Sequence, residues 1–159
     1  MPARKRGKMY LEDYSEGVTF QMPPVSLRSE EIIDFARTYD PRPIHVDRRA
    51  AEASRFGGMI ASGLHTLDVC WGKWVHTKLD EGGLVAGMGM DHLRWLKPVY
   101  AHMPLYTTIV VDRVDMRKGG EEGVVYMHVN VQDEKGEAVM KWDVSFLASS
   151  RDAKGNRSE

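Results

Sequence analysis

Asp40 and His45 stand five positions apart in the stretch Tyr39-Asp40-Pro41-Arg42-Pro43-Ile44-His45-Val46-Asp47. A carboxylate and an imidazole are the side chains best suited to move protons near neutral pH, because imidazole titrates there and a neighbouring carboxylate can orient or share the proton. Two groups that act on one water need a fixed separation. Pro41 and Pro43 each lock a backbone φ angle between them, so part of the entropic cost of alignment is met by the chain itself. The competing reading is a helix stop followed by a surface loop.

Other chemistry finds less support. The six histidines are scattered, without a His-x-x-x-His pair or a Cys/His cluster, so no metal site is expected. No Gly-rich phosphate loop follows a strand, and no cofactor is expected. Cys70 is the single cysteine, lies in an apolar run beside Trp71, and reads as a small buried hydrophobe. Asp91-His92 is a second adjacent pair, but neighbours on a strand point to opposite faces and do not readily act together. His65 reads as a core residue or as one behind the reacting groups. The net charge of -1 gives no general attraction to nucleic acid. No apolar run approaches the roughly 20 residues that span a bilayer, and the basic start lacks the apolar core of a secretory signal. A cytoplasmic, membrane-free protein is expected.

The elements that must position the dyad follow from periodicity. The 159 residues, 42% of them hydrophobic, suit one domain with a real core. That domain is expected over residues 10–150, between a basic tail, 1–9, and a polar tail, 151–159. Residues 17–27 read as a first strand, placed at an edge or bent by Pro23 and Pro24. Ser29 is an expected N-cap for a helix with Ile32, Phe35 and Ala36 on one face. That helix must stop at Asp40, because the residue before a proline leaves the α region. Asp47 is an expected N-cap for a short helix. From Ser62 a long helix carries Leu64, Leu67, Val69, Cys70, Trp71, Trp74 and Val75, leaving little polar face, which predicts burial on most sides. The period then changes to two, giving four successive strands, the last two joined by a turn at Gly136. An α+β hotdog, an antiparallel sheet wrapped around one long central helix, is the economical packing of these parts.

Three ordered blocks carry a resemblance. Asp40-Pro41-Arg42-Pro43-Ile44-His45 resembles the Asp-x-x-Pro-aliphatic-His motif of the MaoC-like acyl dehydratases, relatives of the (R)-specific enoyl-CoA hydratases. Phe56 to Thr66 resembles the block that opens their central helix, and His92 to Leu105 the following strand that runs into Lys-Pro-Val. The resemblance implies hydration of a 2-enoyl thioester or dehydration of a 3-hydroxyacyl thioester, with an acyl-CoA substrate. His45 would take the water proton, while Asp40 orients the water and handles the proton at C2. The Gly63 N–H, at the helix start where free N–H groups and the helix dipole collect, would receive the thioester oxygen. Tyr39, Met59, Ser62 and Leu64 are the candidate substrate contacts, with Met88 a further candidate for the acyl pocket. The resemblance also implies a homodimer or dimer of dimers. A hotdog thioesterase and a non-catalytic acyl-thioester-binding subunit remain the alternatives.

Overall fold

The computed structural model describes residues 7–153. Its five strands are β1 (Thr19–Gln21), β2 (Leu84–Trp95), β3 (Tyr106–Arg117), β4 (Glu122–Gln132) and β5 (Ala138–Ser149). They form one antiparallel sheet in the order β1-β3-β4-β5-β2. Four helices precede the long strands: α1 (Ser29–Tyr39), α2 (Pro43–Val46), α3 (Arg48–Ala53) and α4 (Gly63–Thr77). The fold is the hotdog expected from the sequence.

Alternation along the strands builds the core. Val125, Met127, Val129 and Val131 of β4, with Met140, Trp142, Val144 and Phe146 of β5, line one sheet face. Cys70 and Trp74 of α4 pack into that cluster. Trp74 meets the ring of Phe20 edge-on at 4.9 Å, and Trp71 meets Trp142 edge-on at 6.3 Å. Burial raises the Cys70 thiol to about 11, so it stays protonated near neutrality. The Trp74 indole donates to Asp80 Oδ2 at 2.9 Å, which gives the buried carboxylate a partner.

Several expectations shift. Strand β1 is shorter than residues 17–27, because Pro23 and Pro24 lack N–H groups for a ladder; past its end the Met22 N–H bonds the Thr107 carbonyl and an isolated bridge, Val25 to Leu105, continues the pairing. Ser29 is the first helical residue rather than the cap. The Arg28 backbone N–H instead donates to Glu31 Oε2 at 2.8 Å. Asp47 caps α3 as expected, accepting from the Ala50 N–H at 3.1 Å. Helix α4 is not buried all round: Leu64 is 46% and Val75 50% exposed, because a single sheet covers one side of it. Met9 and Ala153, in stretches read as polar tails, are buried. Residues 1–6 and 154–159 of those tails lie outside the described residues.

Candidate active site

The dyad is assembled by two short-range constraints and one long-range one. Pro41 forces Asp40 out of the helix, at φ -152° and ψ 68°, while the Asp40 N–H still closes the last turn of α1 on Ala36. Pro43 then occupies the first position of α2, where its missing N–H costs nothing. His45 therefore sits on a helical turn and not in the stiff loop that the spacing suggested. The long-range constraint is the 59–62 segment. Its Ile60 N–H bonds to the Ile44 carbonyl and its Ala61 N–H to that of Val99, so the segment is strapped beside α2.

The Ile60 carbonyl fixes the histidine. His45 Nδ1 lies 2.6 Å from it. A carbonyl oxygen only accepts, so Nδ1 carries a proton, and in the neutral imidazole Nε2 presents a lone pair. That lone pair faces Asp40 Oδ2 at 3.4 Å. An imidazole lone pair and a carboxylate cannot bond each other, but a water that donates one hydrogen to each satisfies both. Both side chains are buried, so the pair is shielded from competing bulk water.

Asp40 is held ionised. Burial pushes its carboxyl upward, but hydrogen bonds from Ser62 and Arg42, with the charge of Arg42 and of His45 whenever its imidazole is protonated, outweigh this and keep it below the ordinary carboxylate value. Ser62 Oγ donates to Oδ2 at 2.8 Å, and the Arg42 guanidinium pairs with Oδ1. Ser62 is also the N-cap residue of α4, yet its side chain makes no capping bond. A serine here ordinarily accepts from an N–H of the first turn. Its hydroxyl is turned to Asp40 instead, which leaves those N–H groups open toward the site.

His45, Gly63, Leu64, Thr66 and Trp95 line one cavity of about 560 Å³. Of the residues singled out from the sequence, Asp40, His45, Ser62, Gly63 and Leu64 come together here. Tyr39 does not line this cavity: it is 69% exposed and packs on Phe35. Met59 packs against the core beside the cavity, and Met88 is exposed on β2. Asp91 and His92 do not act as a pair; His92 bonds Asp143.

Two contributors escaped the sequence reading. Arg42 lies between the prolines and touches Asp40, a role its position could have suggested. Trp95 ends β2, and its indole lies so close to Gly63 that a Cβ there would sit 2.4 Å from Cε2. Only the tertiary structure reveals that contact. A side chain at Gly63 would collide with that indole, so packing as well as access to its N–H disfavours one there.

Comparison with known proteins gives the family. The chain matches the family described as MaoC like domain over residues 14–135, and it belongs to that family. It is 30% identical over 140 residues to the uncharacterized protein YdeM of Bacillus subtilis (strain 168), covering 87% of this chain and 98% of that one. Among solved structures it is similar to a MaoC-like dehydratase from Rhodospirillum rubrum, at 27% identity and a TM-score of 0.81 over 90% of this chain and 98% of that one. It shares the fold of the R-hydratase PhaJ1 from Pseudomonas aeruginosa, at 19% identity and a TM-score of 0.74 over 90% of this chain and 87% of that one. The family includes hydratases and dehydratases.

Proposed function

We propose that this protein interconverts a 2-enoyl thioester and a 3-hydroxyacyl thioester, with acyl-CoA as the substrate. The observation that carries the reading is the His45 imidazole, locked with its proton on Nδ1 and its Nε2 lone pair opposite the Asp40 carboxylate at a cavity wall. In the hydration direction, a water hydrogen-bonded to both Nε2 and Oδ2 attacks C3. The O–C3 bond forms, His45 takes the water proton, and the C2=C3 π electrons move into the thioester carbonyl. The Gly63 N–H stabilises the oxygen that gathers charge, a contribution on the order of 3–4 kcal/mol where such donors have been measured. The proton returns to C2 through Asp40, so hydroxyl and hydrogen are added and the dyad is restored. Water, dyad and N–H donors supply every proton and charge that these steps need, and no cofactor enters.

A thioesterase of this fold would draw on an acid of the central helix. Asp68 of α4 lines a different cavity, with Phe35 and His65, which favours hydration over hydrolysis. The test is a panel of enoyl-CoA and 3-hydroxyacyl-CoA thioesters, followed by the conjugated enoyl absorbance. Reversible loss and gain of that absorbance is expected. Release of free CoA from saturated acyl-CoA, or binding without turnover, would replace this reading by one of the alternatives.

The same reading includes a homodimer. Strand β2 is an edge strand whose Leu84, Val85, Met88, Met90 and Trp95 are all more than two-fifths exposed. Apolar side chains on both faces of an edge strand favour association with a second copy. Light scattering should give twice the chain mass or a multiple of it, and a monomer at micromolar concentration would refute the assembly.

A further inference from the structure

A second group of titratable side chains lies on the outer face of the sheet, away from α4 and the cavity. His128 of β4 and Asp143 of β5 are directly opposite each other in the ladder, between inward-facing Met127, Val129, Trp142 and Val144. His128 Nδ1 bonds Asp143 Oδ1 at 2.5 Å, and His92 Nδ1 bonds Oδ2 at 2.8 Å. Asp112 of β3 completes a row of acid, imidazole, acid, imidazole across four adjacent strands.

Irregular backbone brings the outer two members into the row. The β3–β4 register slips between Val111 and Arg113, at Asp112, and the β2–β5 register slips between Asp91 and Arg94, at His92. Bulges re-aim side chains in this way. His92 also adopts a left-handed φ of 55°, a conformation uncommon for a side-chain-bearing residue inside a strand. One ligand atom each from Asp112, His128 and Asp143 lies within 4.8 Å of the others. The Asp112 carboxylate has no hydrogen bond or ion pair among the described residues. It therefore stands beside a second carboxylate with no cation of its own.

We propose that Asp112, His128 and Asp143 form a surface site for a divalent first-row transition ion, with His92 holding Asp143 in place. One imidazole and two carboxylates suit such an ion, with water filling the remaining positions. Bond lengths of about 2.0–2.2 Å are within reach of small rotations of the exposed Asp112 and the half-buried His128 and Asp143. Binding breaks the N–H bond at His128 Nδ1. The proton goes to solvent, the nitrogen bonds the ion, and the ion's charge offsets the two carboxylates. His92 keeps its own bond to Asp143, the kind of outer partner that orients a ligand. Arg94 and Lys141 line the same concavity as His92, His128 and Asp143, so an ion there must compete with their charges; the Arg94 guanidinium donates to the Leu93 carbonyl at 2.8 Å. This site is independent of the hydration reading.

The test is calorimetric titration of the whole chain with Zn²⁺, in buffers of different ionisation enthalpy, together with the Co²⁺ absorption spectrum. The expected result is one ion per chain at micromolar affinity or tighter, with net proton release. Asp112→Asn removes a ligand whose side chain makes no bond in the fold, so it should weaken binding at least tenfold without unfolding the chain. His128→Gln should abolish the Co²⁺ spectrum, and His92→Gln should weaken affinity by about tenfold to a hundredfold while leaving the stoichiometry intact. His45→Gln should leave the isotherm unchanged. Binding weaker than millimolar, or binding lost in His45→Gln and kept in Asp112→Asn and His128→Gln, would overturn the site.

Discussion

Two Asp–His constellations occupy opposite sides of one sheet, and they handle the imidazole in opposite ways. In the first, a backbone carbonyl takes Nδ1–H of His45 and the carboxylate of Asp40 is left facing Nε2. In the second, a carboxylate takes Nδ1 of both His92 and His128 directly. A histidine whose proton is fixed by a neutral carbonyl keeps a basic nitrogen beside its acid, where both can accept from one water. A histidine bonded straight to a carboxylate has no such gap. Burial adds to the contrast: the first pair is closed off from solvent, while His92 is largely exposed. The residue types are shared, so the partner of the other ring nitrogen and the access of water decide which chemistry each pair can do.

The largest effect that can break this comparison lies in the buried pair. Asp40→Asn and His45→Gln should each lower enoyl hydration by about 10²–10⁴-fold, the usual contribution of a positioned acid or base. Because both act on one water, the double variant should be little worse than the poorer single one. Losses that simply multiplied would show two separate roles and end the one-water account. Asp143→Asn, across the sheet, should leave turnover within about twofold, as expected for a distant and independent position.

A smaller effect separates the oxygen donor from its packing. Gly63→Val should cut turnover by about 10²-fold, near the value of a lost oxyanion donor. It should also cost about 1–3 kcal/mol of stability, because the new side chain collides with the Trp95 indole. Adding Trp95→Ala should restore melting temperature and leave turnover low. Recovery of both would assign the defect to the displaced indole and remove Gly63 from the oxyanion role.

The smallest effect concerns acid. Burial pushes the Asp143 carboxyl upward, but the bonds and charges of His128 and His92 outweigh it and hold the carboxyl below its ordinary value, as Ser62, Arg42 and His45 do for Asp40. A carboxyl lowered on folding stabilises the protein above its unfolded value of about 3.9, and that stability is lost as pH falls through the lower folded value. Both contributions are therefore fully present above about pH 4 and fade below it, and the less buried Asp143 network is more strongly screened. Denaturant titrations between neutral pH and about pH 3 should show the acid limb flattened more by Asp40→Asn than by Asp143→Asn. The reverse order would mean that the buried pair is not the more tightly held one.

The sequence by itself determined what nearest neighbours along the chain determine. Pro41 drove Asp40 out of the helical region and ended α1, Pro43 started the next turn, and Asp47 capped α3, because each acts within a few residues. Alternation in β3 to β5 announced the sheet and its buried face, since side-chain direction in a strand follows from period alone. Three blocks in order made the family legible. Tertiary structure alone decided the rest. The Ile60 carbonyl chose the His45 tautomer from fifteen residues away, Asp40 drew the Ser62 hydroxyl from its cap position, and Trp95 closed on Gly63 from the end of another strand. His92, His128, Asp112 and Asp143 read as scattered because their meeting depends on strand order, register and two bulges. No local pattern encodes those, for a slip of one residue would turn each of these side chains to the other face of the sheet.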